Sequence, residues 1–183
     1  MGQANVQRAL EKLVQTLEAQ GIPYAIVGGM ALNEFGYQRV TVDVDVLLTE
    51  QGLAAFKRVS LGRGYTEKFP GSRGLRDTEY GVDIDVVLTG TYPGDGRPQP
   101  VAFPDPGRVA VRGARVALLP LAKLIELKLA SGISAPHRLR DLADVLELIR
   151  GAGLSQDLAA DLDASVREKY LELWRAAQAA DSE

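Results

Sequence analysis

Over residues 3–20 apolar side chains fall at Val6, Leu10, Leu13, Val14 and Leu17, the spacing of an amphipathic helix, and Gly21 is placed to end it. After Pro23 a short apolar run, Tyr24 to Val27, stops at Gly28-Gly29, as a buried strand does when it enters a turn. Residues 31–37 read as a short helix. From Arg39 to Leu48 the pattern changes to alternation, which predicts a strand with Val40, Val42, Val44, Val46 and Leu48 on one face. Thr49 is placed to cap a helix over residues 50–62. Val82 to Leu88 alternates again and is expected to pair with a strand before Gly81.

Residues 90–107 carry five prolines and four glycines, so this stretch is a loop and not a linker between separate cores. Val109–Val111 and Arg115–Leu118 flank Arg112-Gly113-Ala114 as a small hairpin. Helices are then expected over 121–130, 137–150 and 156–179. No repeat or low-complexity tract interrupts the order. The expected fold class is α/β (α+β): a small mixed sheet with flanking helices and a C-terminal helical cap. A chain of 183 residues suits one domain, with a core over 22–118 and a helical part over 120–180.

Composition removes several kinds of chemistry. There is no cysteine, hence no disulfide, thiolate metal site or cysteine nucleophile, and one histidine cannot build a multi-histidine zinc site. No apolar run reaches the roughly 20 residues that span a bilayer, and the N-terminus does not resemble a signal peptide, so a cytoplasmic protein is expected. The net charge of −3 gives no reason to expect general nucleic-acid binding. Its distribution is uneven: seven Lys/Arg and one acid lie from Arg108 to Arg140, whereas ten acids and four basic residues lie from Asp141 to Glu183. A positive wall followed by an acidic, solvated tail is one reading; charges scattered over solvent faces is the other.

The most informative stretch is Thr41-Val42-Asp43-Val44-Asp45-Val46. Period-2 geometry puts Thr41, Asp43 and Asp45 on one face, with the two aspartates ~6–7 Å apart at Cα. Aspartate is disfavoured in strands, and like charges side by side repel. The pattern recurs at Val82-Asp83-Ile84-Asp85-Val86. Oxygen-rich clusters of this sort suit Mg²⁺ or Mn²⁺, which would relieve the repulsion. A strand pair with one solvated face would make the acids incidental. Gly28-Gly29, between a strand and a helix, would let the backbone approach a phosphate, although a plain tight turn explains a glycine pair equally well.

Taken together, Ile26-Val27-Gly28-Gly29, thirteen residues and then Asp43-Val44-Asp45-Val46 resemble the signature of the DNA polymerase β-like nucleotidyltransferase superfamily. The fuller stretch, from Gly28-Gly29-Met30-Ala31-Leu32 through Gly36, Arg39, Thr41, Asp43 and Asp45, is similar to its minimal bacterial branch of AbiEii-like toxins, MenT-like toxins and drug-modifying enzymes. The resemblance spans residues 22–150 and implies a sheet of nucleotidyltransferase type. It also implies that Gly28 and Gly29 hold a triphosphate and that Asp43 and Asp45 bind Mg²⁺ or Mn²⁺. A third carboxylate comes from the neighbouring strand. That residue is Asp85 or Asp83; Asp85 is preferred because it enters Val86-Val87-Leu88, deeper in the sheet.

Lys128 falls within the apolar stripe of Leu121, Leu124 and Ile125, where a charge is costly unless paired. Contact with the triphosphate would account for it, as related enzymes use a lysine in this region; a snorkelling lysine is the alternative. Arg39 could contact phosphate or simply face solvent. Asp141 and Asp144 share a helix face away from Leu139, Leu142 and Leu146, as ion pairs on a solvated face do. With Arg138 and Arg140 they also resemble the Arg-rich, Asp-containing helix of AbiEii-like sequences. His137 is expected at a solvated helix start, and Trp174, Tyr170 and Leu171 in a packing surface.

The expected activity is transfer of a nucleoside monophosphate from NTP to an acceptor, with tRNA or another RNA, a protein or a small drug as candidates. The rival is a catalytically idle nucleotide-binding or toxin–antitoxin regulatory module.

Overall fold

The computed structural model describes residues 2–180. Its elements are α1 (Gly2–Ala19), β1 (Ala25–Val27), α2 (Gly28–Glu34), β2 (Asp43–Leu48), α3 (Glu50–Ser60), β3 (Tyr65–Glu67), β4 (Leu75–Asp77), β5 (Asp83–Leu88), α4 (Pro106–Val109), β6 (Val111–Arg112), β7 (Ala117–Leu118), α5 (Leu121–Ser134), α6 (Leu139–Gly151) and α7 (Ala164–Ala180). They group into two compact units. One comprises residues 2–34, 38–89 and 104–119; the other comprises 35–37, 90–103 and 120–180.

The first unit is built on a seven-stranded mixed sheet in the order β3-β4-β5-β2-β1-β7-β6. β2 runs parallel to β5, and β1 parallel to β7; the other pairs are antiparallel. α1 buries Val6, Ala9, Leu10, Leu13, Val14 and Leu17, the predicted stripe with Ala9 added, and packs against β2. Thr49 caps α3, its hydroxyl accepting from the Gly52 amide. Phe56 of α3 meets Tyr65 of β3 edge-on at 5.0 Å.

Several expectations from sequence are corrected. The strand predicted from Arg39 begins only at Asp43, and Val40 and Val42 are 69% and 78% exposed. The reason is a lack of partners: β1 is three residues long and pairs only with Asp45–Leu47, while β5 starts opposite Asp43. Residues 39–42 therefore have no ladder to join. The helix expected over 31–37 instead starts at Gly28, directly at the end of β1. Val109 ends a helical turn and is not a strand residue.

In the second unit, α5, α6 and α7 pack together around Leu124, Ile125, Leu127, Leu129, Val145, Leu148, Ile149, Val166 and Tyr170. α5 runs four residues beyond its expected end, to Ser134. Gly132 lies against Leu142, where a methyl group would stand 2.5 Å from Leu142 Cγ. The helix predicted over 156–179 is broken into a 3₁₀ segment, Gln156–Asp161, and α7. The break has a local cause: the Asp163 carboxylate accepts from the Ser165 amide and hydroxyl, and the Asp163 amide donates to Glu126. Tyr170 is fully buried and donates its hydroxyl to the Ser155 carbonyl, and Trp174 donates to that of Leu154. No helix among the described residues is long and apolar enough to cross a membrane.

Candidate active site

The register of β2 on β5 brings the two Asp-x-Asp motifs together. Asp43 lies opposite Asp83 and Asp45 opposite Asp85, so four carboxylates form two rungs on one face. Val44, Val46 and Ile84, which point the other way, are fully buried. Adjacent strands stand ~4.8 Å apart, closer than the ~6–7 Å between alternate residues along one strand. Each carboxylate thus has its nearest like charge across the rung.

The end of β1 closes on this face. Gly28 has φ +64°, and an ideal Cβ placed on it would stand 1.9 Å from Asp45 Oδ2. Only glycine supplies both the left-handed backbone and the missing volume. At Gly29 a Cβ would stand 3.1 Å from that of Thr41, whose hydroxyl donates to Asp43 Oδ1 at 2.8 Å. The glycine pair, Thr41 and the two β2 carboxylates are therefore in direct contact. Gly21 shares the φ of +64° but has nothing within 4 Å of its ideal Cβ. Gly21→Ala should therefore show the backbone cost alone, about 1–2 kcal/mol. Gly28→Ala should lower the melting temperature further than Gly21→Ala and displace Asp45. Equal shifts in differential scanning fluorimetry would show that the Asp45 contact is soft.

The β5 carboxylates have cationic partners that the sequence did not reveal. Lys68, which directly follows β3, places Nζ 2.6 Å from Asp85 Oδ1 and 3.3 Å from Asp83 Oδ2. Arg76 on β4 donates to Asp83 Oδ1 at 2.6 Å. Burial acts to raise the Asp83 carboxyl, but the Arg76 and Lys68 hydrogen bonds outweigh it and hold it below the ordinary carboxylate range. The bond to Asp85 is the main influence raising the Lys68 ammonium above its usual value. Thus Asp83 is gripped on both oxygens by two cations, whereas Lys68 holds Asp85 through one.

These donors fit a hard divalent ion in kind: oxygen ligands on one face, with Asp45 in a cradle that any Cβ at position 28 would fill. As the side chains stand, no three acidic or histidine residues among the described ones meet closely enough to hold an ion. Lys68 on Asp85 supplies a physical reason.

Arg39 lies outside the sheet, its backbone clamped by Asn33, which accepts from the Arg39 amide at 2.7 Å and donates to its carbonyl at 3.1 Å. With Thr41, Met30, Asn33 and residues of α1 it lines a cavity of about 160 Å³. Lys128 belongs to the second unit. Its ammonium is 2.7 Å from Asp144 and 3.1 Å from Asp141, and Ser131 donates to the other oxygen of Asp141. Asp144 is 2% exposed, so the face expected to be solvated is the buried one, while Leu139 is 67% exposed. The inversion follows from pairing: a lysine buried on α5 draws its counter-charges on α6 inward. His137 is exposed, as expected. Of the seven basic residues from Arg108 to Arg140, five form ion pairs: Arg108, Arg115, Lys123, Lys128 and Arg138.

No family model matches the chain, and no curated protein matches it in sequence. Solved structures do resemble it. The crystal structure of ANT(2″)-Ia in complex with adenylyl-2″-tobramycin superposes with a TM-score of 0.51 at 12% identity, covering 92% of this chain and 98% of that one. JHP933 from Helicobacter pylori gives 0.52 at 17% identity, over 96% of this chain and 90% of that one. The solution structure of the antibiotic-resistance factor ANT(2″)-Ia gives 0.52 at 15%, over 100% and 97%. At these identities the likeness is one of architecture, and the chain has the nucleotidyltransferase fold.

Proposed function

We propose that this protein is a metal-dependent nucleotidyltransferase, moving a nucleoside monophosphate from NTP to an acceptor hydroxyl or phosphate with release of pyrophosphate. The observation that carries the reading is the pair of aspartate rungs with Gly28 closed against Asp45. Asp43 and Asp45, with Asp85 as third, are the residues that would hold Mg²⁺ or Mn²⁺. Such ions, when bound, stabilise the attacking and leaving oxygens of an in-line displacement. Gly28 and Gly29 present backbone without side chains, so that a triphosphate can approach β2. As the acceptor oxygen bonds to the α-phosphorus and the bond to pyrophosphate breaks, Asp85 is placed to take the acceptor's proton.

Asp83 is assigned a supporting role, because Arg76 and Lys68 already occupy both of its oxygens. Arg39 is assigned to phosphate contact from its place beside Thr41 in the same cavity. Lys128 can serve the triphosphate only by leaving Asp141 and Asp144.

Two acceptor classes are worth separate arms. RNA is suggested by the basic segment Arg108–Arg140, and an aminoglycoside by the ligand of the ANT(2″)-Ia complex. Purified protein incubated with Mg²⁺ and each α-labelled NTP should pass label to total RNA or to tobramycin, and should lose the transfer in EDTA. Asp85→Asn should abolish label transfer, whereas Asp83→Asn should retain most of it; the reverse result would exchange the two assignments. Absence of transfer in every arm, with NTP bound equally well with and without EDTA, would favour an idle nucleotide-binding module.

A further inference from the structure

Lys68 is presented by a loop that is braced from several sides. Its amide donates to the Gly74 carbonyl at 3.1 Å, completing the hairpin between β3 and β4. Lys57 binds Glu67 at 2.7 Å, Glu67 accepts the Gly71 amide at 2.8 Å, and the Ser72 hydroxyl accepts the Gly74 amide at 3.0 Å. Gly74 leaves room for the lysine stem, since a Cβ there would meet Lys68 Cδ at 3.0 Å. From this base the ammonium reaches over β4 to the carboxylates of β5, closer to Asp85 than to Asp83.

A flexible lysine is a single charge with rotatable donors, and it can be exchanged for another cation without moving the backbone. A second resting place is already present, because Asp83 Oδ2 lies 3.3 Å from the same nitrogen. We propose that Lys68 is a built-in counter-ion for Asp85, so that loading of a divalent ion is an exchange in which Lys68 yields Asp85 and remains on Asp83. Lys68 is in this sense a positioning residue. It keeps the two β5 carboxylates from repelling those of β2 while no ion is bound, and it makes the third ligand available only to a cation that can outcompete it. The inference rests on the metal-dependent reading above.

The exchange makes a prediction that a merely structural lysine does not. Lys68→Met retains most of the stem and removes the competitor, so it should bind Mn²⁺ more tightly than the wild type, by roughly three- to tenfold. Lys68→Arg keeps the charge but offers a rigid fork that matches a carboxylate bidentately, so it should bind Mn²⁺ more weakly. Mn²⁺ titration of the full chain, followed by electron paramagnetic resonance with far-UV circular dichroism as the check on folding, reads both without any turnover. If Lys68 only braces the loop, the order reverses, with Lys68→Met weakened and Lys68→Arg near wild type; that result would overturn the exchange while leaving the metal centre standing. Should Lys68→Met not fold, Lys68→Arg alone still decides, because equal or tighter Mn²⁺ binding contradicts the proposal. Failure of the wild type and both variants to bind Mn²⁺ would overturn the metal centre and the exchange together.

Discussion

Asp45→Asn should give a folded protein that has lost nucleotide transfer by roughly 10²–10³-fold or more. The substitution changes one oxygen to an amide at the point where the glycine turn, β2 and β5 meet. Asp45 faces Asp85 across its rung and touches the Gly28 position, so no neighbouring carboxylate can take over its place without moving β1. Stability should move the other way. Removing one of four like charges from two adjacent rungs relieves repulsion, so the metal-free melting temperature should stay equal or rise. Asp43→Asn should behave similarly. Asp85→Asn should differ in this second respect alone, because Lys68 would lose its 2.6 Å partner and the relief would be offset. Single-turnover label transfer and scanning fluorimetry test both halves. Transfer by Asp45→Asn within a few-fold of wild type would remove the carboxylate face from the reaction.

Lys128→Met should destabilise the protein by about 3–5 kcal/mol, the usual loss when one partner of a buried ion pair is removed. For a chain of this length that corresponds to a fall in melting temperature on the order of 10 °C. The lysine side chain is 9% exposed and that of Asp144 3%, so Asp144 would be left charged, buried and short of its closest cation. Asp141 adds a pH signature. Burial acts to raise its carboxyl, but Lys128, the Ser131 hydroxyl and Arg138 outweigh it and hold it below the ordinary range. A carboxyl with a lowered folded value contributes stability that is fully present above its unfolded value, near ~3.9, and is lost as pH falls through the folded one. Lys128→Met should therefore also flatten the acid limb of the stability curve. A role on the triphosphate predicts instead that melting is unchanged and NTP affinity falls, which calorimetry on the same variant would detect.

The carboxylate face was legible in the chain because it depends on a local period. Alternation over Asp43–Val46 and Asp83–Val86 fixes which residues share a face, whatever the strands pair with. The caps and stripes of α1 and α3 were legible for the same reason. Boundaries that depend on partners were not. Val40 and Val42 continue the alternation perfectly, yet they lie outside the sheet because no neighbouring strand reaches them. The helix expected through residue 162 failed on a competition that propensity does not weigh, between continuing the backbone ladder and satisfying Asp163 through Ser165 and Glu126.

Sequence alone, then, determined the chemistry of the site: two aspartates on each of two strands and a glycine pair before them, all set by spacings of one or two residues. Tertiary structure decided what those groups touch. The rung order Asp43–Asp83 and Asp45–Asp85 is a register between strands separated by about 40 residues of chain, and register is set by the whole sheet. Lys68 reaches Asp85 only because the β3–β4 hairpin folds back beside β5. Lys128 lies between Asp141 and Asp144 only because α5 packs on α6, where desolvation makes an unpaired charge too costly to keep. Coulomb pairing acts through space, and the sequence encodes it only through the fold that brings the charges together.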